Sequence, residues 1–115
     1  MKAIINGVEG PEVRLFKGGD EPALNVVLLS DAGAQLDLTA DTLTLEFYTK
    51  KDRSVTSSLS AAGVIAIATA GSLTVTLTSA QLNFGPGTYY GFMKRVENVG
   101  STVEFSNIPA TLIIQ

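Results

Sequence analysis

In the stretch Thr42 to Lys50, TLTLEFYTK, the large apolar residues Leu43, Leu45 and Phe47 take every second position, with Thr44, Glu46 and Tyr48 between them. Successive side chains of an extended strand point to opposite faces, so this order makes one apolar face and one mostly polar one. Wound as a helix, the same residues would scatter around the axis. Leu73, Val75 and Leu77 repeat the alternation among threonines in SLTVTLT, and Val103 and Phe105 do so in TVEFS. A chain built from such segments must cover each apolar face, and with no long helical segment available the cover has to be a second sheet.

The remaining strands are read from less regular segments. Ala23 to Ser30, ALNVVLLS, places Leu24, Val26 and Leu28 on one face and Val27 and Leu29 on the other, the pattern of a strand covered on both sides or paired with another chain. Val64 to Ala68, VIAIA, is a shorter case; Glu12 to Phe16 and Thr111 to Ile114 serve as first and last strands. Turn chemistry separates them at 17–22, 30–35, 50–54, 61–63, 70–72 and 97–101. Only Ser79 to Leu82 reads as helical, and Gly85 and Pro86 stop it after one turn. The expectation is one all-β domain, an antiparallel β-sandwich of about seven to nine strands spanning residues 11–115, with residues 1–10 as an N-terminal arm.

At 115 residues the chain is long enough for one core. Charged residues are only 17% of it, and twelve threonines suit a pleated surface. The absence of cysteine removes disulfides and thiolate metal sites, so stability rests on packing. The apolar run Ala3 to Ile5 is too short for a signal peptide or a membrane span, which gives an expectation of cytosolic synthesis with no membrane partner. A formal net charge of −3 argues against nucleic acid, whose phosphates select clustered Lys and Arg.

Candidate chemistry is sparse. Asp37 and Asp41, four apart, and the adjacent Asp20 and Glu21 are the carboxylate pairs open to acid–base work, but Asp in turns ordinarily accepts hydrogen bonds from nearby amides. With no histidine and no G-x-S-x-G turn, nucleophilic catalysis has no base and no elbow. The expectation is a protein that is not an enzyme and has no cofactor or metal. Two basic groupings stand out: Lys50, Lys51 and Arg53 in KKDRS, and the adjacent Lys94 and Arg95. Together with Tyr48 and Tyr90, the KKDRS residues form a candidate surface for a host-surface glycan, because aromatic faces stack on sugars.

The stretch Gly85 to Met93, GPGTYYGFM, leads out of the one-turn connector into a strand. Gly87, Thr88, Tyr89 has the order of a tyrosine corner, in which a tyrosine hydroxyl bonds back to upstream backbone in Ig-like sandwiches. Gly91, two residues on, then needs a larger neighbour across the sandwich. The order of phrases resembles the Ig-like domains of tailed-phage structural proteins, and within them the N-terminal domain of the phage baseplate upper protein family. The resembling elements are Gly18, Gly19 and Asp20 before ALNVVLLSD, Asp37-Leu38-Thr39 before TLTLEFYT, LTVTLT with its connector SAQL, and Gly87 to Tyr89. They span residues 12 to about 96. That family carries a long C-terminal extension beyond its Ig-like domain, and the resemblance covers the domain alone.

That resemblance implies an Ig-like fold and a non-enzymatic virion component, assembled in the host cytoplasm. As a capsid decoration or a neck, tail or baseplate part, it would form a homo-oligomer or bind other virion proteins. Exposed arms and sheet edges pair readily across chains, which makes Ala3, Ile4, Ile5 and Val8, with Leu112, Ile113 and Ile114, the candidate subunit contacts. Ordinary pairing inside the domain is the alternative for both segments.

Overall fold

The computed structural model describes every residue except 16–21, 56–58, 79–80 and 82–85. Among the described residues the strands are β1 (Lys2–Ile5), β2 (Val8–Glu9), β3 (Glu12–Leu15), β4 (Ala23–Leu29), β5 (Thr42–Tyr48), β6 (Leu59–Ile67), β7 (Ser72–Thr76), β8 (Gly87–Val96), β9 (Val103–Phe105) and β10 (Ala110–Ile114). One 3-10 turn, Ala68–Ala70, joins β6 to β7.

Two sheets share β6. The first runs β2, β1, β4, β7 and the C-terminal half of β6; the second runs the N-terminal half of β6, then β5, β8, β10 and β3, with β9 beside the later part of β8. The order β1-β4-β7-β6 against β5-β8-β10 is the ABED and CFG arrangement of an Ig-type sandwich. The fold is thus the expected all-β, Ig-like one, with ten described strands because the short β2 and β9 add to the main set. One ladder departs from antiparallel: β3 pairs parallel with β10, Leu112 standing opposite Val13. The chain crosses between sheets at Gly10–Pro11, between β2 and β3, and so arrives at the free edge of the last strand running in its direction.

The alternation read from the sequence is what fills the space between the sheets. Leu43, Leu45 and Phe47 of β5 are buried against Leu24, Val26 and Leu28 of β4 and Leu73 and Val75 of β7, with Met93 and Leu112 completing the cluster. Each such side chain contributes roughly 1.5–3 kcal/mol by leaving water.

Three local expectations are corrected. Residues 1–10 are no arm: β1 is hydrogen-bonded along its length to β4, Ala3 opposite Leu28 and Ile5 opposite Val26. Met1, Ala3 and Ile5 lie in the core, because the alternation that looked like a short apolar run has a partner strand ready to cover it. Residues 61–63 are not a turn but the middle of β6, where the strand leaves β5 and joins β7. Gly63 permits the crossing, since a Cβ there would stand 2.6 Å from Leu73 Cδ1 and 3.2 Å from Leu43 Cβ. Finally, VIAIA is not covered on both sides: Val64 is 70% exposed and Ile67 58%.

Gly91 is buried as its small size requires, but its cover comes from the same sheet. Phe47 is its partner on β5, and a Cβ on Gly91 would meet Phe47 Cε1 at 2.7 Å. Tyr89 packs against the core from β8. The upstream segment 82–85, to which a corner hydroxyl would bond, lies outside the described residues, as do Gly18, Gly19 and Asp20. At the connector, Thr78 and Gln81 exchange the hydrogen bonds of a capping box: Thr78 N–H donates to Gln81 Oε1 at 2.9 Å, and Gln81 N–H donates to Thr78 Oγ at 3.2 Å. The rest of the one-turn connector is not among the described residues.

Candidate functional site

Of the residues singled out in the sequence, the fold gathers Tyr48, Lys51, Arg53 and Tyr90 on the outer face of the second sheet. Tyr48 closes β5 directly opposite Tyr90 on β8. The loop after β5 then turns back, helped by Asp52, whose Oδ1 accepts from Ser54 N–H at 2.9 Å, and by Arg53 in a left-handed conformation. This fold-back lays the Arg53 guanidinium 3.8 Å from the ring centroid of Phe105 and 5.1 Å from that of Phe92. Lys51 Nζ stands 5.4 Å from the Tyr90 centroid. Tyr48 packs edge-on to Phe92 at 6.0 Å, and its hydroxyl donates to Glu46 at 3.3 Å. Burial, and after it the Glu46 carboxylate, hold the Tyr48 phenol above its ordinary pKa.

The result is a small second core outside the sandwich, roofed by cations attracted to the ring faces. Tyr48 is 7% exposed and Phe92 4%. A sugar stacks on an open ring face, and here Tyr48 is covered while Lys51 stands over Tyr90. Lys50 is exposed and takes part through its backbone, its carbonyl accepting from Arg53 N–H at 3.2 Å. Phe92 and Phe105 were not among the sequence candidates; the parity of β8, which puts Tyr90, Phe92 and Lys94 on one face, was the available signal.

The second gathering lies at one end of the sandwich, around a cleft of about 420 Å³ lined by Asp37, Thr39, Asp41, Arg95, Glu97, Asn98 and Val99. Strand parity separates the adjacent basic residues. Lys94 turns outward to Glu46 at 3.5 Å, whereas Arg95 turns inward with Met93 and Gly91. Arg95 Nε donates to Asp41 Oδ2 at 2.8 Å and Nη2 to the Asp37 carbonyl at 3.1 Å, while Nη1 stands 3.1 Å from Glu97. Asp41 Oδ1 also accepts from Asn98 N–H at 2.9 Å. The Asp37 carboxylate accepts from both the amide and the hydroxyl of Thr39, which hold its pKa below the ordinary value. Asp37 and Asp41 are thus committed to turn and ion-pair contacts. Among the described residues, no three His, Cys, Asp or Glu side chains are grouped so as to hold a metal ion.

The subunit-contact candidates divide by parity. Ala3, Ile5, Leu112 and Ile114 are buried in their own domain, so for them the intradomain alternative holds; Ile4 and Ile113 are half-buried and Val8 is exposed.

Among the described residues, three carboxylates are held so as to respond to acid. Asp31 accepts from the Met1 ammonium and from Asn107, both at 2.7 Å, and Asp52 from Ser54; like Asp37, each is held below its ordinary pKa by these bonds. A lowered folded pKa means the unfolded chain binds protons first. The stability these groups contribute is present above the unfolded value of about 3.9 and is lost as pH falls through the folded values. Urea midpoints should therefore fall as pH drops below about 4, and less steeply in Asp31→Asn.

The fold and these contacts define an Ig-type β-sandwich in which Asp37, Asp41, Asp52, Arg53 and Arg95 are held by contacts within the domain. No family model matches the chain, and no curated protein matches it.

Proposed function

We propose that this chain is a non-enzymatic structural component of a tailed-phage virion, an Ig-like module that docks on the particle as a capsid decoration protein or as a neck, tail or baseplate part. The observation that carries the reading is the order of sequence phrases over residues 12–96 that resembles phage Ig-like domains, here in a chain whose strands take the Ig-type order. Surface is what such a module works with, and among the described residues Asp37, Asp41 and Arg95 are engaged within the domain, which agrees with a docking role. The glycan-binding alternative has no comparable support, because its tyrosines are covered or capped.

The test is mass spectrometry of purified particles from cells carrying the gene. Peptides of this chain should appear at a fixed stoichiometry to the major structural proteins and persist through density-gradient purification. Their absence from particles, with the protein present in the lysate, would overturn the reading. Deleting residues 1–9 is not a clean test, since it removes β1 from the core.

A further inference from the structure

We infer, independently of the virion reading, that Asn6–Gly7 is a site of spontaneous covalent modification. When the β1–β2 hairpin opens, Asn6 closes to a succinimide, which water opens to aspartyl and isoaspartyl chains.

Of the five asparagines in the chain, Asn6 is the one followed by glycine. Succinimide formation needs the backbone nitrogen of the next residue to reach the asparagine Cγ. A glycine there has no Cβ to obstruct the approach and the widest choice of backbone angles. Asn25 and Asn98 precede Val and Asn107 precedes Ile, whose branched side chains crowd that nitrogen. Asn83 lies outside the described residues. Asn6 is exposed, and apart from its chain neighbours no atom lies within 4 Å of where a Cβ on Gly7 would stand.

The chain and water supply every atom of the reaction. The Gly7 nitrogen loses its proton and bonds to Asn6 Cγ, the Cγ–Nδ2 bond breaks, and ammonia leaves. Water adding at Cγ restores an ordinary peptide with an aspartyl side chain. Water adding at the Asn6 backbone carbonyl leaves an isoaspartyl chain, which runs on through Cγ and is one backbone atom longer.

The fold gates the first step. Asn6 and Gly7 have φ of 50° and 83°, as the central residues of a type I′ turn do. Asn25 N–H donates to Asn6 Oδ1 at 3.0 Å and Asn6 N–H donates to the Asn25 carbonyl at 2.8 Å, so the closed hairpin holds the carboxamide against β4. The hold is local: β2 is two residues long and, among the described residues, pairs with β1 alone at the end of the first sheet. Such segments open without global unfolding. The products then diverge. An aspartyl carboxylate still accepts from Asn25 N–H, whereas the isoaspartyl chain lengthens the turn that sets Ile5 opposite Val8. Ala3 and Ile5 are core residues, so a shifted register disturbs the packing of β1.

The experiment holds the full chain in mildly alkaline buffer, native and in concentrated urea, and maps its tryptic peptides by mass over time. Peptide 3–14 has Asn6 as its one side-chain amide. In the native sample it should convert to acid forms, while Asn25, Asn98 and Asn107 stay amides. The isoaspartyl form should take a methyl group from S-adenosylmethionine in the presence of an isoaspartyl methyltransferase. Conversion in urea should be roughly tenfold faster or more, because the two hydrogen bonds no longer hold the turn. Once separated by chromatography, the isoaspartyl protein should melt below the unmodified one, and Asn6→Asp close to it. An Asn6 that stays intact in the native protein, whether or not the urea sample converts, would overturn the site. Equal native conversion at Asn98 would overturn its selectivity, and equal native and urea rates the gating. Isoaspartyl protein that melts like the unmodified chain, or Asn6→Asp that melts as low as the isoaspartyl form, would overturn the role given to the added backbone atom.

Discussion

Replacing Arg95 by Met should destabilise the domain by about 3–5 kcal/mol, the range measured when one partner of a buried ion pair is removed. The guanidinium is 10% exposed and the Asp41 carboxylate 6%, so both left water on folding. Without Arg95, Asp41 keeps one amide donor, from Asn98, and among the described residues no cation of comparable proximity. The Asp37 carbonyl also loses a donor. Urea unfolding of Arg95→Met measures the cost. The double variant Arg95→Met/Asp41→Asn tests its origin: if the penalty comes from an uncompensated charge, the second change should restore a substantial part of the stability. A single variant close to wild type would show that the ion pair is solvated and carries little.

Phe47→Ala is the second large effect, at about 3–5 kcal/mol for truncating a buried Phe. The ring sits in the main core and is also the lid over Gly91, so truncation opens a cavity on two sides. This predicts a sign change. In the wild type, Gly91→Ala places a Cβ 2.7 Å from Phe47 Cε1 and should cost about 1–3 kcal/mol by overpacking. In the Phe47→Ala background the same substitution fills empty space and should be neutral or stabilising. Denaturant midpoints of the four proteins give the coupling directly, and additivity of the two changes would refute the contact.

Both residues show how far the sequence could be read. Phe47 was legible because alternation is a local property: with side chains at a period of two, Leu43, Leu45 and Phe47 had to share a face whatever lay opposite. Arg95 was legible only in part. Parity with Met93 assigns it to the inner face, but its partners Asp41 and, 3.6 Å from Nη1, Glu104 come from other strands and loops, and no spacing rule links position 41 to position 95. The tyrosine and KKDRS candidates were singled out as a surface, whereas their packing depends on the loop folding back, which sets Arg53 on Phe92 and Phe105 from three separate segments.

The sequence by itself determined the class of fold, because the period of the apolar residues, the turn chemistry and the lack of a helical segment leave two packed sheets as the way to bury those faces. Only the tertiary structure decided which termini were free. Residues 1–10 read alone as an arm, and β4 turned them into a core strand; VIAIA read alone as a buried strand, and the crossing at Gly63 left it at an open edge. Periodicity says which side chains share a face, while the identity of the strand across that face is set by contacts between residues far apart in the chain.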